Sequence, residues 1–220
     1  MDITTAYDHI ERCGIMAALR GSFPPDKALP VCEMLFTGGI TVFEFTYNSE
    51  RAVEAMVAVK NAYGDQACVG MGTVLDVATA ERVIAEGADF VVSPGFQPEV
   101  VRVVNEAGIL MAPGCLTPTE ILAAWAMDVR LIKLFPIGAL GVDHFRQLRG
   151  PLNHIKFMCN GGTNDTNVGD FIAAGAVACG LGSWLTGDGA MPLETISQRA
   201  HQLRHIVDHA RAGTRALERA

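Results

Sequence analysis

A chain of 220 residues is long enough for one large domain or two small ones. Half of the residues are hydrophobic and 19% are charged, which argues against extended disorder because the chain has enough apolar surface to form a core. The net charge of -7 comes without any run of like charges, which argues against nucleic acid or an anionic membrane as the main partner, since both require a basic patch.

The first predicted element is a leading helix over residues 2–13. After it, one pattern recurs: an amphipathic segment ends in glycine, and a short apolar or β-branched run follows at once. Thr37-Gly38-Gly39 precedes such a run, and so does Ala174-Gly175. Glycine just past a helix can adopt the left-handed conformation that closes the last turn. Each junction therefore predicts the end of a helix and the start of a strand.

Eight strands are predicted in this way, at residues 14–20, 40–47, 67–74, 88–94, 109–115, 129–135, 155–160 and 176–182. The segments between them have helical periodicity; residues 49–63, for example, place Ala52, Met56 and Val59 on one side of a helix. Strand starts recur every ~20 to 27 residues, the size of one βα unit. The sequence therefore predicts an α/β fold, a single (β/α)8 TIM barrel over residues 1–220 with an extra N-terminal helix.

A doubly wound open sheet is the competing architecture, because it also alternates strands and helices. Its dinucleotide-binding form needs G-x-G-x-x-G after the first strand. This chain has Ala18-Leu19-Arg20-Gly21-Ser22 at that point, so we favour the barrel.

The start of the chain and its cysteines indicate the compartment. Residues 1–5 lack the basic segment and apolar run of a secretory signal, and no apolar run approaches the ~20 residues that span a bilayer. The six cysteines form no C-x-x-C pair and lie mostly in apolar segments, which is typical of reduced, buried thiols rather than of disulfides or a zinc site. We expect a cytoplasmic protein.

The chemistry of a barrel belongs to the C-terminal ends of its strands. Polar residues stand at most of these predicted ends: Arg20, Glu44, Thr46, Thr73, Ser93, Lys133 and Asn160. Lys133 is the most informative, because it interrupts an apolar strand. Burial disfavours the ammonium form and lowers the pKa of a lysine, and the neutral amine is a nucleophile toward carbonyl groups. Alternatively, Lys133 extends to the barrel rim or pairs with a carboxylate.

Glu44 is the second candidate catalytic residue. Strand periodicity puts Val42, Glu44 and Thr46 on one face of the second strand. If that face points inward, the Glu44 carboxyl meets Lys133 inside the barrel, where a desolvated acid can transfer protons near neutral pH. The alternative is that Glu44 only neutralises the charge of Lys133.

Glycines follow the last two predicted strands, in Gly161-Gly162 and in Gly180-Leu181-Gly182-Ser183. Exposed backbone N–H groups beside a helix N-terminus bind anions, and barrels often hold phosphate after strands seven and eight. Glycine also marks tight turns. The position of these glycines after the last two strands favours a phosphate site.

Three histidines offer a possible metal site. His201, His205 and His209 recur every fourth residue on the predicted last helix. Leu203 and Val207 form the apolar side of that helix, so we expect the histidines to face solvent. No carboxylate pattern that would support metal-bound histidines accompanies them, and we expect no native metal.

The sequence resembles the class I 2-keto-3-deoxy-6-phosphogluconate and 4-hydroxy-2-oxoglutarate aldolase family over nearly its whole length. The segments that carry this resemblance occur in the family's order: Phe43-Glu44-Phe45-Thr46, Gly70-Met71-Gly72-Thr73-Val74-Leu75, Val92-Ser93-Pro94-Gly95, Ala112-Pro113-Gly114, Ile132-Lys133-Leu134-Phe135-Pro136, Gly161-Gly162 and Gly180-Leu181-Gly182-Ser183. The motifs are specific jointly and not singly.

The resemblance implies that Lys133 forms a Schiff base and that Glu44 shuttles protons. It implies that Thr73 contacts the carboxylate of pyruvate, and that Pro94 and Phe135 shape the pocket. It assigns phosphate binding to a set of small residues: Gly161, Gly162, Gly182 and Ser183. It further implies a homotrimer that needs no cofactor and no metal.

Two positions depart from the family's pattern. Many members carry an arginine about four residues after the glutamate, where this chain has Asn48. Arg20, at the end of the first strand, then supplies the guanidinium, whose bidentate geometry suits a carboxylate. Cys159-Asn160 stands where proline and threonine are usual, so Asn160 is a candidate substrate-binding residue that affects phosphate contact and substrate specificity.

We therefore expect retro-aldol cleavage of 2-keto-3-deoxy-6-phosphogluconate to pyruvate and glyceraldehyde 3-phosphate. The nearest alternatives keep this chemistry and change the substrate to the galactonate epimer, 4-hydroxy-2-oxoglutarate or an unphosphorylated acid. A phosphate-binding isomerase or synthase, with Lys133 as a point charge, is another enzyme class. A barrel that binds sugar phosphates without turnover is the alternative that is not an enzyme.

Overall fold

The computed structural model describes residues 1–218, and the side chains of residues 1–214. The last two residues of the predicted domain lie outside the described residues. The strand segments of the described part are β1 (Ile15–Leu19), β2 (Val42–Thr46), β3 (Cys68–Gly72), β4 (Phe90–Val92), β5 (Leu110–Ala112), β6 (Gly114–Cys115), β7 (Ile132–Leu134), β8 (Phe157–Asn160) and β9 (Ala178–Leu181). Its α-helices are α1 (Ile3–Cys13), α2 (Pro25–Thr37), α3 (Ala52–Tyr63), α4 (Val77–Ala85), α5 (Pro98–Glu106), α6 (Pro118–Trp125), α7 (Gly141–Arg149), α8 (Val168–Ala173) and α9 (Leu193–Glu218).

The strands form a closed ring. Their order is β5-β4-β3-β2-β1-β9-β8-β7-β6, and all neighbouring strands are parallel. The two segments at the ends of this order, β5 and β6, are separated in the chain only by Pro113, so together they are the fifth strand of an eight-stranded barrel. The closure excludes the open sheet. The prediction of a (β/α)8 barrel with an extra N-terminal helix is confirmed.

The observed strands are shorter than the predicted ones, and two predicted elements differ in a way that has a clear physical cause. The predicted fifth strand, residues 109–115, is interrupted at Pro113, which has no N–H to donate to the ladder. The helix predicted from Ser49 begins only at Ala52, because Ser49 N–H donates to the Thr46 carbonyl oxygen (2.8 Å) in a preceding turn. Each of the other seven predicted strands contains one observed strand.

The glycine junctions have the backbone conformation that the sequence predicts. Gly39, Gly87, Gly108 and Gly175 have φ angles of 82°, 84°, 70° and 96°, in the left-handed region that L side chains rarely adopt. Each of these glycines lies between a helix and the following strand. They therefore stop the helix and turn the chain back toward the barrel.

Helix α1 closes the barrel at the N-terminal ends of the strands. It packs against β1, β2, β3, β5 and β9. Its His9 Nε2 lies 2.8 Å from Thr41 Oγ1 just before β2, and its Thr4 hydroxyl accepts a hydrogen bond from Arg130 just before β7 (2.9 Å). The opposite end, where the strands end, is left for a binding site.

The cysteines and histidines lie where the sequence predicts. All six cysteines are buried free thiols, and His201, His205 and His209 are exposed. Within residues 1–218, no group of three or more histidine, cysteine, aspartate or glutamate side chains is placed to hold a metal ion. No helix in the described range combines the length and apolarity needed to cross a membrane.

Candidate active site

Lys133 occupies the middle of β7, between two fully buried apolar residues. Its N–H donates to the Pro113 carbonyl oxygen (3.0 Å), so the strand break at Pro113 keeps its contact with β7. The side chain is only 6% exposed, and Nζ lies 4.8 Å from the ring centroid of Phe135. The aromatic ring therefore forms part of the wall around the amine.

The surroundings of Lys133 lower the pKa of its amine. Burial is the main cause, because a desolvated ammonium loses its hydration, and the nearby charge of Arg20 acts in the same direction. The Glu44 carboxylate opposes both effects and raises the pKa. The net direction is downward, which favours the nucleophilic neutral amine.

Glu44 faces Lys133 from the opposite side of the barrel. β2 and β7 are the second and sixth of the eight strands, so three strands lie between them in each direction around the ring. The carboxylate is 3% exposed and lies over Gly72 of β3, where it occupies the space that a side chain would fill. Among the described residues, the Lys133 amine and the Glu44 carboxylate form no direct ion pair.

Both groups line a cavity of about 340 Å³ at the C-terminal ends of the strands. Nine of the eleven site residues predicted from the sequence line it: Arg20, Glu44, Lys133, Phe135, Asn160, Gly161, Gly162, Gly182 and Ser183. Five further residues complete the wall: Ala18, Thr163, Asn164, Gly180 and Trp184. The structure thus brings together residues from five of the eight strands or from the loops that follow them.

The other two predicted residues, Thr73 and Pro94, lie outside the cavity wall. Thr73 follows β3 with a φ of 60°, an unusual conformation for a β-branched residue, and its hydroxyl accepts a hydrogen bond from Arg20 Nη2 (3.3 Å). Pro94 follows β4 and lies behind Gly114, the residue that pairs with Lys133; a Cβ on Gly114 would be 2.3 Å from the Pro94 oxygen. Thr73 therefore contacts the wall residue Arg20, and Pro94 contacts Gly114, the strand neighbour of the wall residue Lys133.

The loop after β8 offers backbone donors to the cavity. Gly161 and Gly162 line the cavity and have φ angles of 83° and 80°, in the left-handed region that favours glycine. Ser183 and Trp184 follow β9, the strand next to β8 in the ring, and line the same cavity. Within the described residues, these four N–H groups have no protein acceptor. Together they form a cradle with the chemistry to bind an anionic group.

Asn160 ends β8 directly before Gly161 and lines the same cavity as Lys133. Its side chain is 5% exposed and extends over Gly180 of β9, where a Cβ would lie 1.9 Å from Nδ2. Its Oδ1 is buried without a hydrogen-bond partner in the described structure. A buried carbonyl without a partner is costly, and at the cavity wall Oδ1 is an acceptor that a bound molecule could use.

Comparison with known proteins identifies the family. The family model for KDPG and KHG aldolases matches residues 9–199. The chain belongs to this family. A relative from Treponema pallidum (strain Nichols), named 2-dehydro-3-deoxy-phosphogluconate aldolase, is 35% identical over 183 residues, 82% of this chain and 86% of that protein. A relative from Escherichia coli (strain K12), named 2-dehydro-3-deoxy-6-phosphogalactonate aldolase, is 32% identical over 84% of this chain and 91% of that protein.

A solved structure supports the same assignment. The structure described as native KDPGal is 30% identical, with a TM-score of 0.85, and covers 89% of this chain and 95% of that one. The resemblance inferred from the motifs is thereby confirmed. The aldolase thus carries, at the C-terminal end of its barrel, a desolvated amine, a carboxylate and an anion cradle around one cavity.

Sequence reasoning missed several residues of this aldolase's cavity, of which Trp184 is the largest. Trp184 directly follows Ser183, and the guanidinium of Arg199 on α9 lies 4.9 Å from the centroid of its ring. Thr163 and Asn164 directly follow the Gly161-Gly162 pair. The available signal was their position immediately after the glycine motifs of strands seven and eight.

Proposed function

We propose that this aldolase cleaves 2-keto-3-deoxy-6-phosphogluconate to pyruvate and glyceraldehyde 3-phosphate through a Schiff base on Lys133. The observation that carries the proposal is a buried lysine, with a lowered pKa, that shares one cavity with the Glu44 carboxylate. A buried charged lysine without a direct ion pair is costly for stability, and a role for its neutral form accounts for it.

The reaction begins with attack by the neutral Lys133 amine on the C2 carbonyl carbon. Glu44 moves the protons while the resulting carbinolamine loses water and becomes a cationic iminium. The iminium accepts the electron pair of the C3–C4 bond when that bond breaks, and Glu44, or a water molecule it orients, removes the proton of the C4 hydroxyl. The aldehyde leaves, the enamine is protonated at C3, and hydrolysis releases pyruvate and the free amine.

The remaining cavity residues bind the two ends of the substrate in this proposal. Arg20 and Thr73 bind the carboxylate, because a guanidinium and a hydroxyl are suitable donors and hydrogen-bond each other at 3.3 Å. The free N–H groups after β8 and β9, with Ser183, bind the 6-phosphate. Phe135 forms the wall beside the amine, Pro94 supports the strand pair from behind Gly114, and Asn160 contacts the middle of the substrate.

A cleavage assay tests the proposal. Pyruvate release is measured with 2-keto-3-deoxy-6-phosphogluconate for the natural chain, for Lys133→Ala, and for Lys156→Ala as a matched control. Lys156 is an exposed lysine just before β8, at the closed end of the barrel. We expect turnover in the natural chain and in Lys156→Ala, and none in Lys133→Ala. Binding without turnover in the natural chain would favour the non-enzymatic sugar-phosphate-binding barrel.

The same assay compares the competing substrates. The galactonate epimer is the nearest competitor because the Escherichia coli relative carries that name. We expect the highest kcat/KM with the phosphorylated gluconate-derived acid, and lower values with its epimer, with 4-hydroxy-2-oxoglutarate and with the unphosphorylated acid. Equal rates with and without phosphate would contradict the phosphate role of the cradle.

The assembly and location implied by the sequence belong to the same proposal. We infer a cytoplasmic homotrimer. Equilibrium sedimentation is expected to give three times the chain mass of 23.5 kDa. A mass of one chain at micromolar concentration would contradict the trimer.

A further inference from the structure

The turn between β2 and α3 holds both peptide groups that flank Arg20. In this turn the Ser49 hydroxyl accepts a hydrogen bond from Gly21 N–H (3.0 Å) and lies 2.6 Å from the Thr46 hydroxyl. The Thr46 hydroxyl in turn donates to the Leu19 carbonyl oxygen at 3.4 Å. The two hydroxyls therefore bridge the backbone on one side of Arg20 to the backbone on the other.

Only one direction of this hydroxyl relay forms all three hydrogen bonds at once. A hydroxyl has one proton to donate. In that direction Thr46 donates its proton to Leu19, Ser49 donates to Thr46, and Ser49 accepts from Gly21. The relay runs from the Gly21 N–H through Ser49 and Thr46 to the Leu19 carbonyl. Thr46 is fully buried, so removal of either hydroxyl leaves a polar group near Arg20 without its partner.

The same turn also fixes the neighbour of Thr73. Tyr47 N–H donates to the Gly72 carbonyl oxygen (2.8 Å), and that carbonyl belongs to the peptide group just before Thr73. Arg20 and Thr73 are themselves joined by the 3.3 Å hydrogen bond. One turn therefore anchors the backbone of both groups that our proposed function assigns to the substrate carboxylate.

The loop that carries Arg20 is also constrained from its other side. Ser22 N–H donates to the Asp188 carbonyl oxygen (2.8 Å), and Gly21, at φ 128°, lies so close to that carbonyl that a Cβ would be 2.4 Å from it. The guanidinium, by contrast, is at the end of a long and exposed side chain. The position of its charge therefore depends on how firmly the Arg20 backbone is held.

We propose that Ser49 and Thr46 are positioning residues that act through Arg20 to align its guanidinium with the carboxylate of a 2-keto acid. This inference rests on the proposed function, because it assigns Arg20 to the carboxylate. It accounts for a turn that brings no charge of its own to the site, since Asn48 is neutral and none of residues 47–51 lines the cavity. The turn instead holds an arginine that comes from the neighbouring strand.

Calorimetric titration with pyruvate tests the inference. The probes are pyruvate and methyl pyruvate, a keto ester without the negative charge. Ser49→Ala is expected to raise the pyruvate Kd by about 3- to 10-fold, the loss of one net hydrogen bond, and Thr46→Val by a similar factor. Arg20→Ala is expected to raise it by about 10- to 100-fold, because the lost hydrogen bonds are charged. Ser49→Thr keeps the hydroxyl and restores the natural Kd.

A matched control comes from the same loop. The Ser22 hydroxyl donates to Glu50 Oε2 (2.6 Å) and does not bond to the backbone beside Arg20, so Ser22→Ala is expected to change the Kd by less than about 2-fold. Ser49→Ala is expected to bind methyl pyruvate with the same Kd as the natural chain. In an Arg20→Ala background, Ser49→Ala is expected to have no further effect on pyruvate, because the positioned group is gone.

Three results would overturn the inference: an unchanged pyruvate Kd in Ser49→Ala and Thr46→Val, equal losses with pyruvate and its ester, or full additivity with Arg20→Ala. These results differ from a failure of the proposed function. Pyruvate that binds the natural chain but forms no covalent adduct contradicts the Schiff base alone. Absence of any pyruvate binding to the natural chain overturns both.

Discussion

Glu44 and Gly72 share one space in the barrel: a Cβ on residue 72 would lie 1.8 Å from Oε1 of Glu44. Glycine at this position is thus a condition for the observed place of the carboxylate. Because the β3 backbone of Gly72 is hydrogen-bonded, the Glu44 side chain has to move if a methyl group is added.

Gly72→Ala is therefore expected to lower turnover through Glu44. A displaced carboxylate loses positioned proton transfer, and we expect turnover to fall by about 100-fold or more. Steady-state kinetics measure this loss. Gly213→Ala on α9, where nothing lies within 4 Å of the added Cβ, is the matched control and is expected to keep natural turnover. Natural turnover in Gly72→Ala would mean that the position of the carboxylate is not critical.

Glu44→Gln preserves the shape of the side chain and removes its ability to carry protons. We expect turnover to fall by ~100- to 10,000-fold, the usual contribution of positioned general acid–base catalysis. Combined with Gly72→Ala, it is expected to cost little more than either change alone, because both act on one group. Turnover near that of the natural chain would indicate that Glu44 is only a counterion for Lys133.

The lowered pKa of Lys133 gives stability a predictable pH dependence. The unfolded lysine titrates at its ordinary pKa and the folded one at a lower value, so between these two pKa values the unfolded state binds more protons. The destabilisation due to Lys133 is therefore fully present below the folded pKa and is lost as pH rises toward the unfolded pKa.

Lys133→Met is accordingly expected to be more stable than the natural chain at neutral pH, with an advantage that shrinks as pH increases. Denaturant unfolding at several pH values measures the difference in unfolding free energy. The exposed Lys156→Met is the control, for which we expect no such trend. A Lys133→Met chain that is less stable at neutral pH would contradict a desolvated, destabilising amine.

Asn160 is expected to lower the stability of the fold and to raise kcat/KM. Replacement by leucine, which has a similar shape, removes the unsatisfied Oδ1, and we expect the free energy of unfolding to rise by roughly 1–3 kcal/mol. The same change is expected to lower kcat/KM, since the amide faces the cavity. Unfolding curves and cleavage kinetics of one preparation measure both effects. A destabilised variant would mean that the Asn160 amide already has its partners in the fold.

The sequence predicts the barrel well because its signals are local. Glycines such as Gly39 and Gly175 stop a helix immediately before a strand, and this conformation needs no distant contact. Proline in the fifth predicted strand was a visible signal for its interruption, since Pro113 has no N–H. Lys133 and Glu44 were detectable because a charged residue inside an apolar strand needs an explanation.

The details of the cavity depend on contacts between distant segments. The fit of Glu44 over Gly72 requires the register of β2 and β3, and the stack of Arg199 on Trp184 requires the docking of α9. Neither relationship leaves a local pattern. The hydroxyl relay through Ser49 was hidden for a related reason, because Ser49 was predicted as the start of a helix and instead lies in the turn before it.

Borohydride reduction in the presence of pyruvate tests the central claim most directly. The natural chain is expected to gain the mass of one pyruvic acid, less the water lost when the imine forms and plus the two hydrogens added by reduction, and peptide mapping is expected to place the adduct on Lys133. Lys133→Ala is expected to gain no adduct, while Lys156→Ala is expected to be labelled like the natural chain. An adduct on another lysine, or no adduct in the natural chain at saturating pyruvate, would contradict covalent catalysis by Lys133.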